Sequence, residues 1–317
     1  MIRIALITLF LASSALAQDW PQKQIRIIVP FAPGGIADTS SRAIGEKLGA
    51  RLGQMVLIEN RTGAGGNIGT EMVAKSAPDG YTLLLGFDGT LVVNPHTHSK
   101  LPFDTLRDFQ PVTKLGDAAL IVVAHPSVGA SNLRELIAQA KAKPGSFSYG
   151  TAGAGTTPHL VGEMINLRAG TDFQHVPYKG GGQAIGDVVG GQIQLVLTAV
   201  ATSQQFLKAG KLKGLGISSA KRVSSVPDVP TFIESGLDGM VVNSWTGVLA
   251  PRGTPRPIVD RLQREIAAVL ADPEVRERYA VLGIEPSGNT PDEYAAQIRA
   301  DLAQWGPIAR RANIRID

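Results

Sequence analysis

The sequence predicts an α/β protein of two lobes with a cleft between them. Three observations carry that expectation. Strand-like and helix-like runs alternate through the first half of the chain. Two glycine loops, at 34–35 and at 151–158, each follow a strand-like run and open a helix-like one. The chain, at 317 residues, exceeds the usual size of a single core, so two lobes are the default.

The elements follow in order. Residues 1–17 carry one charge, Arg3, an apolar run over Ile4–Leu11, and the small-x-small pattern Ala15-Leu16-Ala17. This is the pattern of a secretory signal peptide cut after Ala17, too short in its apolar part to span a bilayer. Strand Ile25–Val29 leads into Pro30-Phe31-Ala32-Pro33-Gly34-Gly35-Ile36-Ala37-Asp38. A helix then places Ile44, Leu48 and Leu52 on one face and closes at Gly53. Strand Val56–Glu59, the glycine loop 63–69, a helix to about Ser76, the turn Pro78-Asp79-Gly80 and strand Tyr81–Gly86 complete a βαβαβ run. Such a run implies a parallel sheet with helices on both faces.

The second half continues with strand Leu120–Ala124, helix Leu133–Lys141 ended by Pro144-Gly145, and strand Ser146–Gly150. The second glycine loop follows, with Thr157 expected as N-cap and Pro158 as the first helical residue. Leu160, Met164 and Leu167 give that helix an apolar face. Strands Gln192–Thr198, Leu212–Ser218 and Val241–Ala250 come next, then helices over about 256–271, 273–282 and 291–312.

Composition excludes several classes. There is no Cys, so a disulfide framework, a lipidated N-terminal Cys and thiol catalysis are all absent; an exported chain of this kind fits a bacterial periplasm. The net charge of +4 comes from scattered Lys and Arg with no basic stripe, which argues against a nucleic-acid partner. No Gly-x-Ser-x-Gly, His-Glu-x-x-His or Walker A pattern occurs, and no intact Gly-x-Gly-x-x-Gly follows a strand. His96-Thr97-His98 lacks a clear third ligand. No cofactor and no metal are expected, and no catalytic residues.

What the two glycine loops suggest is anion binding. Consecutive glycines allow a sharp bend and close approach of a ligand. The helix that follows offers unpaired N–H groups and the positive end of its dipole, a site that holds carboxylates without a basic side chain. In open α/β sheets ligands sit beyond the carboxyl ends of the strands. The candidate ligand contacts are therefore Phe31, Gly34, Gly35 and Asp38 from the first loop, and Thr151, Gly153, Gly155, Thr156 and His159 from the second. Asp88 and Thr90, with Asn94, follow a strand end and are placed on the cleft; Thr198 ends another strand. Asp38 reads equally as a helix-start cap, His159 as a packed or backbone-bonded histidine, and the 63–69 loop as turn geometry and packing.

These motifs resemble the Bug family, the extracytoplasmic solute receptors of tripartite tricarboxylate transport. The resemblance rests on Pro33-Gly34-Gly35-x-x-Asp38, Glu59-Asn60-Arg61-x-Gly63-Ala64-Gly65-Gly66-x-Ile68-Gly69 and Pro78-Asp79-Gly80-Tyr81-Thr82-Leu83-Leu84. It extends to Tyr149-Gly150-Thr151-x-Gly153-x-Gly155-Thr156-x-x-His159-Leu160, His175-Val176-Pro177-Tyr178-Lys179-Gly180 and Trp245-x-Gly247-x-x-Ala250-Pro251-x-Gly253-Thr254-Pro255. It implies a two-lobed type II periplasmic-binding-protein fold with a ligand cleft between the lobes. Lobe 1 would comprise 18–122 and 245–317, and lobe 2 would comprise 123–244. It further implies a monomer that takes a small carboxylate through loop amides and hydroxyls, closes by hinge motion and delivers its ligand to membrane permease subunits. A second reading keeps the fold and makes the protein a signalling receptor that presents its liganded state to a membrane sensor kinase, and an enzyme using the cleft is a third. In one place the sequence departs from the family. Where members often carry Phe-Asp before the segment Lys208-Ala209-Gly210-Lys211-Leu212, this chain has Leu197 and Thr198, so no preference for amino-bearing ligands carries over.

Overall fold

A computed structural model describes residues 20–311 and 315. The expected signal peptide at 1–17 lies outside the described residues. The elements are β1 (Ile25–Val29), α1 (Ile36–Leu52), β2 (Val56–Asn60), α2 (Asn67–Ala74), β3 (Thr82–Phe87), α3 (Asn94–Thr97), α4 (Thr105–Asp108) and β4 (Phe109–Ala124). They continue as α5 (Leu133–Ala142), β5 (Ser148–Thr151), α6 (Thr157–Ala169), β6 (Gln174–Pro177), α7 (Gly181–Val189), β7 (Leu195–Ala199), α8 (Val200–Lys208) and β8 (Lys213–Ile217). The chain ends with β9 (Asn243–Pro251), α9 (Arg256–Ala271), α10 (Pro273–Val281), β10 (Ile284–Pro286) and α11 (Pro291–Arg311). A single π-helical turn, Gly89–Val93, follows β3.

Local chemistry accounts for the boundaries. β1 is buried except at Arg26, as a strand inside a sheet covered on both faces should be. α1 buries Ile44, Leu48 and Leu52 and stops at Gly53, whose left-handed φ of 69° lets its N–H reach the Gly49 carbonyl. α5 begins with a capping box: Asn132 accepts from the Glu135 N–H, and Glu135 accepts from the Ser131 N–H. The apolar face of α6 differs from the expected one. Leu160, Val161 and Ile165 are buried, whereas Leu167 stays exposed.

The strands form one sheet in the order β2-β1-β3-β9-β4-β7-β5-β6, with β8 and β10 also paired to β4. Parallel pairs occur at its two ends, β2-β1-β3 and β7-β5-β6. The middle is antiparallel, which the expectation of a parallel sheet missed. The reason is β4. Its first part, Phe109–Ala119, pairs with β9, and its last part, Leu120–Ala124, pairs with β7. It runs straight from one set of strands into the other, without the crossover helix that a parallel neighbour requires. Only its last five residues look like a strand in the sequence, because register shifts near Pro111 and Lys114 break the alternation before them.

The core divides along the same line. Two apolar clusters draw on 25–118 and 245–305, apart from Ala199 and Leu160. Two others draw on 119–240. Among the described residues no helix is long and apolar enough to cross a membrane.

Candidate functional site

Four strands of this sheet end near one point, and each hands over to a helix there. β1 leads to α1, β5 to α6, β6 to α7, and β7 passes into α8 without a loop. None of these four helices has a side-chain cap at its N-terminus; the cap residues are Gly35, Thr156, Gly180 and Ala199. All four starts contribute to one small cavity of about 30 Å³, through Gly35, Ile36 and Ala37, Pro158, Gly181, and Ala199 with Thr202. The rest of its wall is Phe31, Phe87, Leu120, Ala152 and Thr198, so no charged side chain lines it. Helix N-termini each carry roughly +0.5 of an elementary charge. Each such end favours a negative charge near it. A larger hollow of about 670 Å³ lies elsewhere, against the C-terminal half of α10 and residues 219–224. It faces the negative end of its helix, and its Arg222 is already paired with Glu234.

Both glycine loops are tied down by the same device. The Gly34 N–H donates to Asp38 Oδ2 at 3.0 Å, and the Gly155 N–H donates to His159 Nδ1 at 3.1 Å. In each case the acceptor sits four residues on, in the first turn of the helix that follows. Asp38 is fully engaged: its Oδ1 also accepts from Arg42 Nε and Asn60 Nδ2, both at 2.9 Å. Asn60 in turn donates to the Phe31 carbonyl. His159 stacks on His175 with ring centroids 3.7 Å apart. Burial pushes His159 down to about 4. Burial, then the neighbouring ring, pushes His175 down to about 3. Both imidazoles are therefore neutral, and the bond from Gly155 places the His159 proton on Nε2.

Twelve residues were expected on the ligand, and they separate into three groups. Phe31, Gly35 and Thr198 line the cavity. Gly34, Asp38, Thr151, Gly153, Gly155, Thr156 and His159 build the loop frames behind it. Thr151 Oγ1 bonds to the Gly153 carbonyl and lies 2.7 Å from His175 Nε2, and Thr156 Oγ1 donates to the Gly153 carbonyl. Thr90 and Asp88 make the third group. Thr90 Oγ1 holds the Gly65 carbonyl at 2.8 Å, and Asn94 also reaches it, which ties the 63–69 loop to the turn after β3. Asp88 is buried and accepts from Thr157 Oγ1 at 2.6 Å and Ser244 Oγ at 2.7 Å. Burial raises its carboxyl to about 7, against the pull of those two hydrogen bonds.

Thr157 thus corrects an expectation. It is not the cap of α6 but its first residue, and Pro158 is the second. Its hydroxyl goes to Asp88, because a buried carboxylate oxygen needs a donor more than the helix start needs a cap. His96, half of the His-Thr-His pair, has its Nε2 2.7 Å from the Leu302 carbonyl.

Sequence reading missed the Gly180-Gly181-Gly182 triplet and Thr202. The triplet lets backbones from the two sides of the sheet touch. A Cβ added at Gly182 would lie 2.9 Å from the Pro33 carbonyl oxygen, and one at Gly180 would lie 2.9 Å from Ala32 Cβ. Gly89 meets Thr156 in the same way, at 2.8 Å from its Cα. The Ala32 N–H donates to the Lys179 carbonyl across this contact at 3.4 Å. The triplet was visible as a run of glycines after a strand, the signal used for the other two loops. Thr202 had no such signal, since α8 starts without Gly or Pro before it.

The sequence pattern of the tripartite tricarboxylate transporter family receptor matches residues 40–314. The chain belongs to that family. It is 35% identical over 319 residues to BugT of Bordetella pertussis, which covers 99% of this chain and 98% of that protein. A protein from the tcbD-tcbE intergenic region of Pseudomonas sp. (strain P51) is 36% identical over 287 residues, 90% of this chain and 85% of its own. Among solved structures, the periplasmic binding protein BugD superposes with a TM-score of 0.89 at 34% identity, covering 93% of this chain and 99% of its own. An R. palustris protein solved with adipate gives 0.91 at 32% identity, with coverages of 93% and 99%. MatC from Rhodopseudomonas palustris, solved with bound malate, gives 0.86 at 32%, with coverages of 91% and 99%. The fold is that of the periplasmic binding proteins, two α/β lobes with the cleft between them.

Proposed function

We propose that this receptor is exported to the periplasm, with residues 1–17 removed after Ala17. There it captures a small carboxylate by closure of its lobes and delivers it to the permease subunits of a tripartite tricarboxylate transporter. Lobe 1 comprises 18–122 and 245–317, and lobe 2 comprises 123–244. The change of partners along β4 and the division of the core support that boundary.

The observation that carries the reading is the convergence of four uncapped helix N-termini on a wall with no charged side chain. Amide N–H groups and hydroxyls hold a carboxylate there, and no single Lys or Arg is needed. The relatives solved with adipate and malate support the ligand class. The family to which the chain belongs supports the receptor role. Of the residues, Phe31, Gly35 and Thr198 touch the ligand, and Asp38 and His159 position the loops.

The test is a thermal-shift screen of the purified protein against carboxylates and their amides. Ligand at 100 times its dissociation constant adds about 2.7 kcal/mol of stability. At this size that is a shift of several degrees. A shift with an acid that is absent with its amide is expected. An equal shift with the amide would sink the reading, as would loss of binding on removal of one Lys or Arg from a protein that still folds. Uptake of the same acid in a strain lacking the receptor, with and without permease genes, tests delivery.

A further inference from the structure

Asp88 ties the two lobes together. It follows β3 in one lobe and accepts from Thr157 Oγ1 of α6, in the other, at 2.6 Å. Its second oxygen accepts from Ser244 Oγ at 2.7 Å, at the start of β9. Asp88 is 1% exposed, and both of these donors are neutral hydroxyls. The charged and titratable groups around it do not compensate a negative charge. A cavity of about 360 Å³, lined by α6 and α11, reaches Asp88; the other charged residues on its wall are Asp117, Arg168 and Asp301. Asp301 of α11 disfavours a charge on Asp88. Asp117 of β4 is paired with Lys114, and Arg168 of α6 donates to the Asp238 carbonyl. On α6, His159 and Glu163 turn to His175 and Tyr149. Tyr294 of α11 is buried and held neutral, and β9 carries no titratable side chain. A buried carboxylate without a cation is costly. A neutral carboxyl fits the same place, because it accepts from one hydroxyl and donates to the other. Parting the lobes takes Thr157 away and admits water, which restores the ordinary preference for the charge.

We propose that capture of the carboxylate is coupled to uptake of one proton, taken from solvent onto the Asp88 carboxyl as the lobes meet. This rests on the capture by lobe closure proposed above and adds a proton to it. Linkage is reciprocal: closure favours the protonated carboxyl, so protonation favours closure and with it ligand affinity. Burial holds the carboxyl at about 7 where the lobes touch, against about 3.9 for a free aspartate. Affinity therefore rises as pH falls below about 7 and levels off above it; between pH 6 and pH 8 the change is about 10-fold. His159 and His175 do not produce this dependence. Burial holds both neutral, so exposing them on opening would make closure release protons, which is the opposite sign.

The experiment is titration calorimetry of the purified protein with acetate, succinate, malate and adipate at about pH 6, 7 and 8, each in two buffers of different ionisation heat. The buffer dependence of the heat counts the protons exchanged. Asp88→Asn, titrated alongside, cancels any proton exchanged by the acid itself. With an acid that binds, the parent should take up about one proton more than the variant at pH 6, about half a proton more at pH 7 and almost none at pH 8. Its affinity relative to the variant should fall about 10-fold over the same range. Ser244→Ala removes one donor to the carboxylate and raises the carboxyl further, so the midpoint of the fall should move to higher pH. That variant carries the test even if Asp88→Asn does not fold. Equal proton uptake in the parent and Asp88→Asn would overturn the coupling and leave carboxylate binding intact. So would a midpoint that stays in place in Ser244→Ala. Silence toward all four acids would overturn the carboxylate reading, and this proposal with it.

Discussion

Asp88 gives the most quantitative handle on this arrangement. Its carboxyl lies at the end of β3 and joins three parts of the chain, through Thr157 of α6 and Ser244 of β9. Among the described residues no cation bonds to it, and burial holds its carboxyl at about 7. In the unfolded chain an aspartate titrates near 3.9. Between about pH 4 and pH 7 the folded state therefore keeps a proton that the unfolded state has lost, so stability falls as pH rises through that window. A shift of about three units corresponds to about 4 kcal/mol, absent below pH 4 and fully present above pH 7. Asp88→Asn removes the titration and keeps the geometry, because an amide accepts from one hydroxyl and donates to the other.

The variant and the parent should be unfolded in urea at half-unit steps from pH 4.5 to pH 8. The stability of Asp88→Asn relative to the parent should climb with pH by several kcal/mol and level off above pH 7. A difference that stays flat across the range would refute the reasoning. So would a variant less stable than the parent at pH 8. Either result would mean that the carboxylate is already ionised at low pH and that its charge is well satisfied.

Three further outcomes follow from the same geometry. His159 and His175 are kept neutral by burial, so below pH 6.5 the unfolded chain takes up two protons that the fold refuses. Each should lower stability by about 1.4 kcal/mol per pH unit as pH falls from 6.5 toward 4, and denaturation of His175→Gln should show one such contribution removed. Gly182→Ala adds a Cβ 2.9 Å from the Pro33 carbonyl across the lobes. Melting of the free protein should hold or rise, since Ala favours the helix by about 1 kcal/mol, while calorimetry should show affinity reduced about 10-fold or more. Asp38→Ala leaves the Gly34 N–H, Arg42 and Asn60 without their acceptor. Denaturation should show a loss of about 1–3 kcal/mol, and calorimetry a loss of carboxylate binding.

What the sequence revealed of this architecture was what local rules govern. β1, the turn at Gly34 and α1 were legible because a buried apolar run, two glycines and a four-residue apolar spacing each act within a few residues. The helices of the last third were placed closely because Pro255, Asp272 with Pro273, and Pro291 mark their starts. β4 was only partly legible, since Pro111 and Gly116 interrupt its alternation where the strand is irregular. Thr157 was misread because the acceptor that claims its hydroxyl is 69 residues away. Thr202 was missed for a related reason. Nothing in Ala199-Val200-Ala201 announces a helix start, and its place on the cavity wall comes only through the fold.

The contact between the lobes bears on how a ligand would close them. Much of it is glycine against backbone: Gly182 on Pro33, Gly180 on Ala32, Gly89 on Thr156. Glycine buries little apolar surface, so the hydrophobic effect adds little to closure at these points. The hydrogen bond from Ala32 to Lys179 is long, at 3.4 Å. The bonds from Thr157 and Ser244 to Asp88 are short, at 2.6 and 2.7 Å, but the carboxyl they share is held in an unfavourable environment. The same contacts bring four helix N-termini together, which places partial positive charges close to one another. An anion between them turns that repulsion into attraction, and it does so only when the lobes meet. A ligand shifts an equilibrium by its difference in affinity for the two states. On this geometry a charged ligand gains an electrostatic term that an uncharged one lacks, so an uncharged analogue of the right shape should favour the closed state less than the acid does.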